Sequence, residues 1–155
     1  IYGKLYNWYA VESEQLCMDG WHVPTDDDFL ELELYLGMVL NEDFNLGYRG
    51  GNEYIGVKLA GNESLWVESA PITSLDNLFN LSKFNAIPGG KYFFDTNRSI
   101  FFGLSENSYF WTSSEYQGAF GENYSLYRTL DYENSGVMRN ISKQITGMSV
   151  RCVQD

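Results

Sequence analysis

The 155 residues hold one histidine, two cysteines and three prolines, and each scarcity excludes a kind of chemistry. With His22 alone, no site built on two histidines exists, and any Ser-His-Asp arrangement would rest on that one residue. It lies in Trp21-His22-Val23-Pro24, which reads as a packing corner ahead of a helix. Cys17 and Cys152 form no CxxC pair or zinc spacing. Taken by themselves they are open to two readings, a bridge closing almost the whole chain or two buried thiols. No run of eighteen apolar residues is present, which argues against a membrane-spanning helix. There is no basic run, no Gly-Lys-Ser/Thr phosphate loop after Pro88-Gly89-Gly90, and no DxDxDG calcium loop.

What is present is acid and aromatic. The formal net charge is -11. Residues 1–76 carry 14 acids and 3 bases and residues 77–155 carry 7 of each. Such a field repels phosphate backbones and anionic headgroups, so neither nucleic-acid binding nor membrane insertion is expected. Twelve Tyr, 10 Phe, 4 Trp and 15 Gly suit short strands and ordered loops better than a helix bundle. The length fits one domain, residues 1–155. With Ile1 first and no signal or lipid-attachment motif, the expectation is a trimmed or processed piece rather than a cytosolic protein.

Thr25 followed by Asp26, Asp27 and Asp28 marks the clearest helix start, because the hydroxyl caps free amides and the acids face the positive end of the helix dipole. Phe29, Leu32, Leu36 and Val39 would form its apolar stripe, widened by Leu30 and Leu34, until Gly37 or Asn41 ends it. Residues 2–11 read as a strand running into a short helix or turn. Few regular elements are expected between Asn41 and Asn85. Strands are expected at 84–87, 92–94, 109–113, 124–130, 136–140 and 147–153, in antiparallel hairpins.

Six segments in order resemble the bacterial family called the Fibrobacter succinogenes major paralogous domain. They are Tyr2-Gly3-Lys4-Leu5-Tyr6-Asn7-Trp8-Tyr9-Ala10-Val11; Cys17 with Gly20-Trp21-His22-Val23-Pro24-Thr25-Asp26; Gly56-Val57-Lys58-Leu59; Phe84-Asn85-Ala86-Ile87-Pro88-Gly89-Gly90; Tyr109-Phe110-Trp111-Thr112-Ser113-Ser114-Glu115-Tyr116; and Gly147-Met148-Ser149-Val150-Arg151-Cys152-Val153. The resemblance implies an α+β, C-type-lectin-like fold: a twisted antiparallel sheet with paired termini, one main helix and long irregular loops. It also implies a Cys17–Cys152 disulfide, and a secreted or surface-anchored setting such as that of gut and fibre-degrading Bacteroidetes and Fibrobacteres, within a larger surface protein.

The function expected is non-catalytic recognition of a glycan or a cell-surface protein. Tyr116, Tyr124, Tyr127, Arg128, Tyr132, Asn134, Arg139 and Asn140 are the candidate ligand residues, since Tyr offers a rigid contact and Asn adapts its hydrogen bonds. The stretch from Tyr124 to Asn140 also resembles the displayed segment of hypervariable receptor-binding domains of phage and bacteria, a second reading. A third is a small glycoside hydrolase using a pair among Glu115, Glu122, Asp131 and Glu133. No cofactor is expected and no catalytic residue is assigned. The sugar-binding motifs of true C-type lectins are absent, and a structural calcium ion among acids such as Asp26, Asp27, Asp28, Glu42 and Asp43 is left open.

Overall fold

In the computed structural model of the chain, the described residues are 1–39, 46–95, 98–118 and 123–155. The chain first turns helical at α1 (Trp8–Glu12), where the Asn7 side chain accepts from the Ala10 amide. The indole of Trp8 donates to the Thr112 carbonyl at 2.9 Å. The main helix, α2 (Asp26–Tyr35), starts where its sequence asks it to. Thr25 accepts from the Asp28 amide while the Asp28 carboxylate accepts from the Thr25 amide at 2.7 Å, a complete capping box. It stops at Leu36 as Gly37 takes a φ of +97°, a left-handed conformation that glycine adopts without strain. Val39 therefore falls beyond the helix and is exposed, and only Phe29 and Leu36 of the expected stripe are fully buried.

The central sheet contains β2 (Gly47–Arg49), β5 (Asn107–Glu115), β6 (Tyr124–Asp131) and β7 (Val137–Lys143) in the order β2-β7-β6-β5, all antiparallel. Alternation divides it into two faces. Trp111 and Tyr127, directly paired, join Tyr109, Trp8, Val11, Val23 and Met148 in one cluster. Phe110, Leu130 and Val137 turn to the opposite face and join Phe29 and Leu36 with the apolar residues of α3 (Ile55–Leu59). The sheet is thus covered on both sides, and residues 125–130 of β6 are buried without a break. Helix α3 reaches the turn between β6 and β7 closely enough that its Gly56 amide bonds the Ser135 carbonyl at 2.8 Å. A side chain on Gly56 would collide with the Gly136 carbonyl.

Two further ribbons flank this sheet. β1 (Trp21–His22) pairs antiparallel with β8 (Val153–Gln154), and Tyr6 bridges Met148, so the ends of the chain do pair. Cys17 and Cys152 are joined in a disulfide beside them, with Cα atoms 5.8 Å apart. β3 (Gly89–Asp95) and β4 (Arg98–Leu104) form a hairpin of their own. The architecture is α+β with antiparallel sheets. Three details differ from expectation. Residues 84–87 contribute a single parallel bridge, Ala86 to Ala60, and not a strand. Of 147–153 only Val153 belongs to one, because Gly147, Met148 and Ser149 bridge three separate partners, Tyr92, Tyr6 and Phe110. Strand β4 was not expected, since Ile100-Phe101-Phe102 lacks the alternation by which a half-buried strand is read.

Candidate functional site

Each candidate residue takes its surroundings from its strand position. Asp26 and Glu33 are seven residues apart on α2, two helical turns, so both acids project from one face. Opposite them, Arg49, Arg139 and Arg128 share one face of the neighbouring strands β2, β7 and β6, and Arg128 lies directly across from Arg139. The two sets close on each other inside the protein. Arg128 Nε donates to Glu33 at 2.7 Å and its Nη1 to Asp26 at 2.5 Å, while Arg139 donates to both oxygens of Asp26 at 2.8–3.0 Å. Arg49 Nη2 lies 2.5 Å from the second Glu33 oxygen, an ion contact misaligned for a hydrogen bond. Glu33 is fully buried and Arg128 nearly so. Burial works to raise the Asp26 carboxyl, but the Arg139 and Arg128 guanidinium groups outweigh it and hold it below the usual value. Arg128 and Arg139 therefore clamp α2 to the sheet.

The other candidates separate along the same strands. Tyr127 is buried against Tyr109 and edge-on to Trp111, with Lys91 Nζ 5.6 Å from its ring centroid and 4.5 Å from that of Tyr109. Tyr132 donates to Glu133 at 3.0 Å. Asn134 accepts from the Gly136 amide at 2.9 Å and so shapes the β6–β7 turn. Asn140 is half-buried and accepts from the Ile141 amide. Most of the segment from Tyr124 to Asn140 is interior or half-buried. Tyr116 and Tyr124 come together at one end of β5 and β6, through a 2.9 Å bond from the Tyr116 amide to the Tyr124 carbonyl. They line a cleft of about 540 Å³ with Glu115, Gln117, Gly118, Asn123 and Gln144. Gln144 is fixed by its side chain donating to Ser125 Oγ at 3.0 Å. Gln117, Asn123 and Gln144 were not among the candidates. Gln117 and Asn123 flank Tyr116 and Tyr124 in sequence, a legible signal, but Gln144 arrives from the far end of β7.

Glu115 stands apart from Asp131 and Glu133, which are neighbours at the end of β6. Glu115 pairs with Ser125 at one end of β6 and Asp131 with Asn107 at the other. Six residues of strand set them about 20 Å apart, beyond the 5 to 10 Å that glycoside hydrolysis uses. Asp131 accepts from Asn107, Tyr48 and the Glu133 amide, and burial together with that carboxylate pushes the Tyr48 phenol up to about 12. Glu122, Glu42 and Asp43 lie outside the described residues. Among the described residues no group of three His, Cys, Asp or Glu is placed to hold a metal ion. No helix among them is long and apolar enough to cross a membrane. Both ring nitrogens of His22 are engaged, Nδ1 by Asp155 at 2.6 Å and Nε2 by Asp28 at 3.2 Å.

A family model described as the Fibrobacter succinogenes major domain matches residues 1–154, and the chain belongs to that family. No curated protein and no solved structure matches it.

Proposed function

We propose that this member of the Fibrobacter succinogenes major domain family is a non-catalytic recognition module of a secreted or surface-displayed protein, and that it binds a glycan in the cleft at Tyr116 and Tyr124. The carrying observation is the composition of that cleft among the described residues: Tyr116 and Tyr124 beside the amide residues Gln117, Asn123 and Gln144 and the carboxylate residue Glu115. Sugar rings present apolar C–H faces and hydroxyls that both donate and accept. Aromatic faces suit the former and amide groups the latter. The near-neutral charge of residues 77–155 favours an uncharged ligand. A disulfide joining residues 135 apart supports an oxidising, extracellular setting. The paired chain ends and single main helix are in keeping with a C-type-lectin-like arrangement, though the ligand groups proposed here need no cation.

The test is a glycan-array and polysaccharide pull-down screen with calcium and with a chelator, repeated with Gln117→Ala and Tyr116→Ala. Binding that survives chelation and falls at least tenfold in both variants, with melting temperatures unchanged, is the expected result. Retention of no glycan, or binding indifferent to both substitutions, overturns the proposal.

A further inference from the structure

The hairpin β3–β4 presents its apolar side chains to solvent. Tyr92, Ile100, Phe101, Phe102 and Leu104 are each between 40 and 51% exposed. One edge of the ribbon is occupied, because Tyr92 exchanges two 2.8 Å backbone hydrogen bonds with Gly147. That exchange fixes the direction of every other backbone group. The N–H and C=O of Tyr92 point away from β4, so the Tyr92–Phe101 pair is a non-hydrogen-bonded one. The N–H and C=O of Phe101, and by the two-residue period those of Ser99, point out of the opposite edge. Among the described residues neither finds a backbone partner there. The result is an open strand edge of the kind that folded proteins ordinarily cover, charge or shorten.

The sequence of that edge says what fits it. Ser99-Ile100-Phe101-Phe102-Gly103-Leu104 contains no charge. Laid antiparallel on itself about Phe101, it places Phe101 opposite Phe101, and Ile100 opposite Phe102 on both sides of the axis, so apolar meets apolar at each central position. The acid excess lies wholly in residues 1–76, outside this strand. At about 200 Å² for a large apolar side chain, the exposed halves of Ile100, Phe101, Phe102 and Leu104 offer roughly 400 Å² per copy and about 800 Å² for a pair, the size of a weak, transient contact.

We propose that two copies of this chain pair through the free edge of β4, antiparallel and two-fold symmetric about Phe101, to give a closed dimer of modest affinity. A contact of this kind is isologous, so it stops at two. One side of the new four-stranded ribbon would carry both copies of Phe101, beside the groove of about 500 Å³ that Phe101 and Tyr92 line with Leu5, Asn7 and Ile145.

Sedimentation velocity over a concentration series tests this, read against Phe101→Lys and Ser99→Lys. Both variants put charge on an exposed edge without opening the core, and circular dichroism melting confirms their folding. The expected result is a monomer–dimer equilibrium whose midpoint moves at least tenfold in each variant. Phe101→Cys adds a test of register. The two native cysteines are bonded to each other, and opposed residues in a hydrogen-bonded pair lie about 5.5 Å apart, within disulfide reach. This variant should oxidise to a covalent dimer, whereas Tyr35→Cys, exposed on α2, should not. A monomer persisting to concentrations on the order of 1 mM, polymers without a dimer plateau, or cross-linking equal at positions 35 and 101 overturns it.

Discussion

The sheet strand β6 and the ribbon strand β4 invert the usual relation between residue type and burial. Ser125, Arg128 and Thr129 are inside, while Ile100, Phe101 and Phe102 are half outside. The cause is layering. Strand β6 is covered by α1 and the Met148 region on one face and by α2 and α3 on the other, so what it carries is buried, and a charge among it needs a partner. Arg128 is satisfied by Asp26 and Glu33. Among the described residues strand β4 pairs with β3 alone and is only half covered on its faces, so about half of each apolar side chain stays in water. Burial is set here by what lies above and below a strand: the sheet holds paired charge inside, and the ribbon leaves apolar side chains half exposed.

Removing the demand in the sheet has the largest expected effect. Arg128→Ala leaves Glu33 fully buried with only the misaligned contact to Arg49, and breaking a buried pair from one side costs about 3–5 kcal/mol. Chemical denaturation should show this loss, and Glu33→Gln in the same background should recover part of it. A variant as stable as the wild type would mean that the network contributes nothing to holding α2. Acid should act on the same joint. Because Asp26 is held below its ordinary value, its contribution is complete above about pH 4 and is lost as the pH falls through its folded value.

The ribbon β1–β8 is an instructive intermediate. Trp21 and Val153 are partly open, though less so than the apolar side chains of β4, and this ribbon is pinned by the disulfide and by His22. A bridge closing 135 residues contributes up to about 5 kcal/mol by the loop-entropy model, reduced by residual structure in the unfolded chain. Cys152→Ser should therefore lower stability by about 2–4 kcal/mol under non-reducing conditions, and an unchanged melting temperature would show that the pin carries no load. The hydrogen bond to Asp155, and then that to Asp28, raise the His22 pKa above 6.5. Its stabilising effect is full below about pH 6.5 and fades as the pH rises through the folded value. His22→Gln should narrow the gap between melting temperatures at about pH 5.5 and pH 8.5; the effect is small because the pair is solvated.

Local signals proved legible and long-range ones did not. Thr25 and the acids after it announced α2 because capping is settled within four residues, and Gly37 ended the helix by its own backbone freedom. The strands at 109–113 and 124–130 were readable from β-branched and aromatic content. Glu33 was not legible as a core residue, since it is paired by arginines 16 and 95 positions away. For the same reason Arg128 and Arg139 read as ligand groups: an arginine among tyrosines looks alike on a recognition surface and opposite a buried carboxylate. Tyr116 and Tyr124, both candidates from sequence, line one cleft, but Gln144, which lines it with them, is positioned by β7. The disulfide followed from family resemblance, and spacing alone left it open.

The smallest effect expected is the one that separates the two strands most sharply. At Ile100 a lysine can lay its methylene stem along the ribbon and keep its ammonium in water, so Ile100→Lys should change stability by no more than about 0.5 kcal/mol. A lysine at Leu126, buried on β6, has no such escape and should abolish folding. If Ile100→Lys instead unfolds the protein, β4 is covered by its own chain and the contrast with β6 collapses. If it folds with unchanged stability, Ile100 owes its apolar side chain to something other than the fold of a single copy.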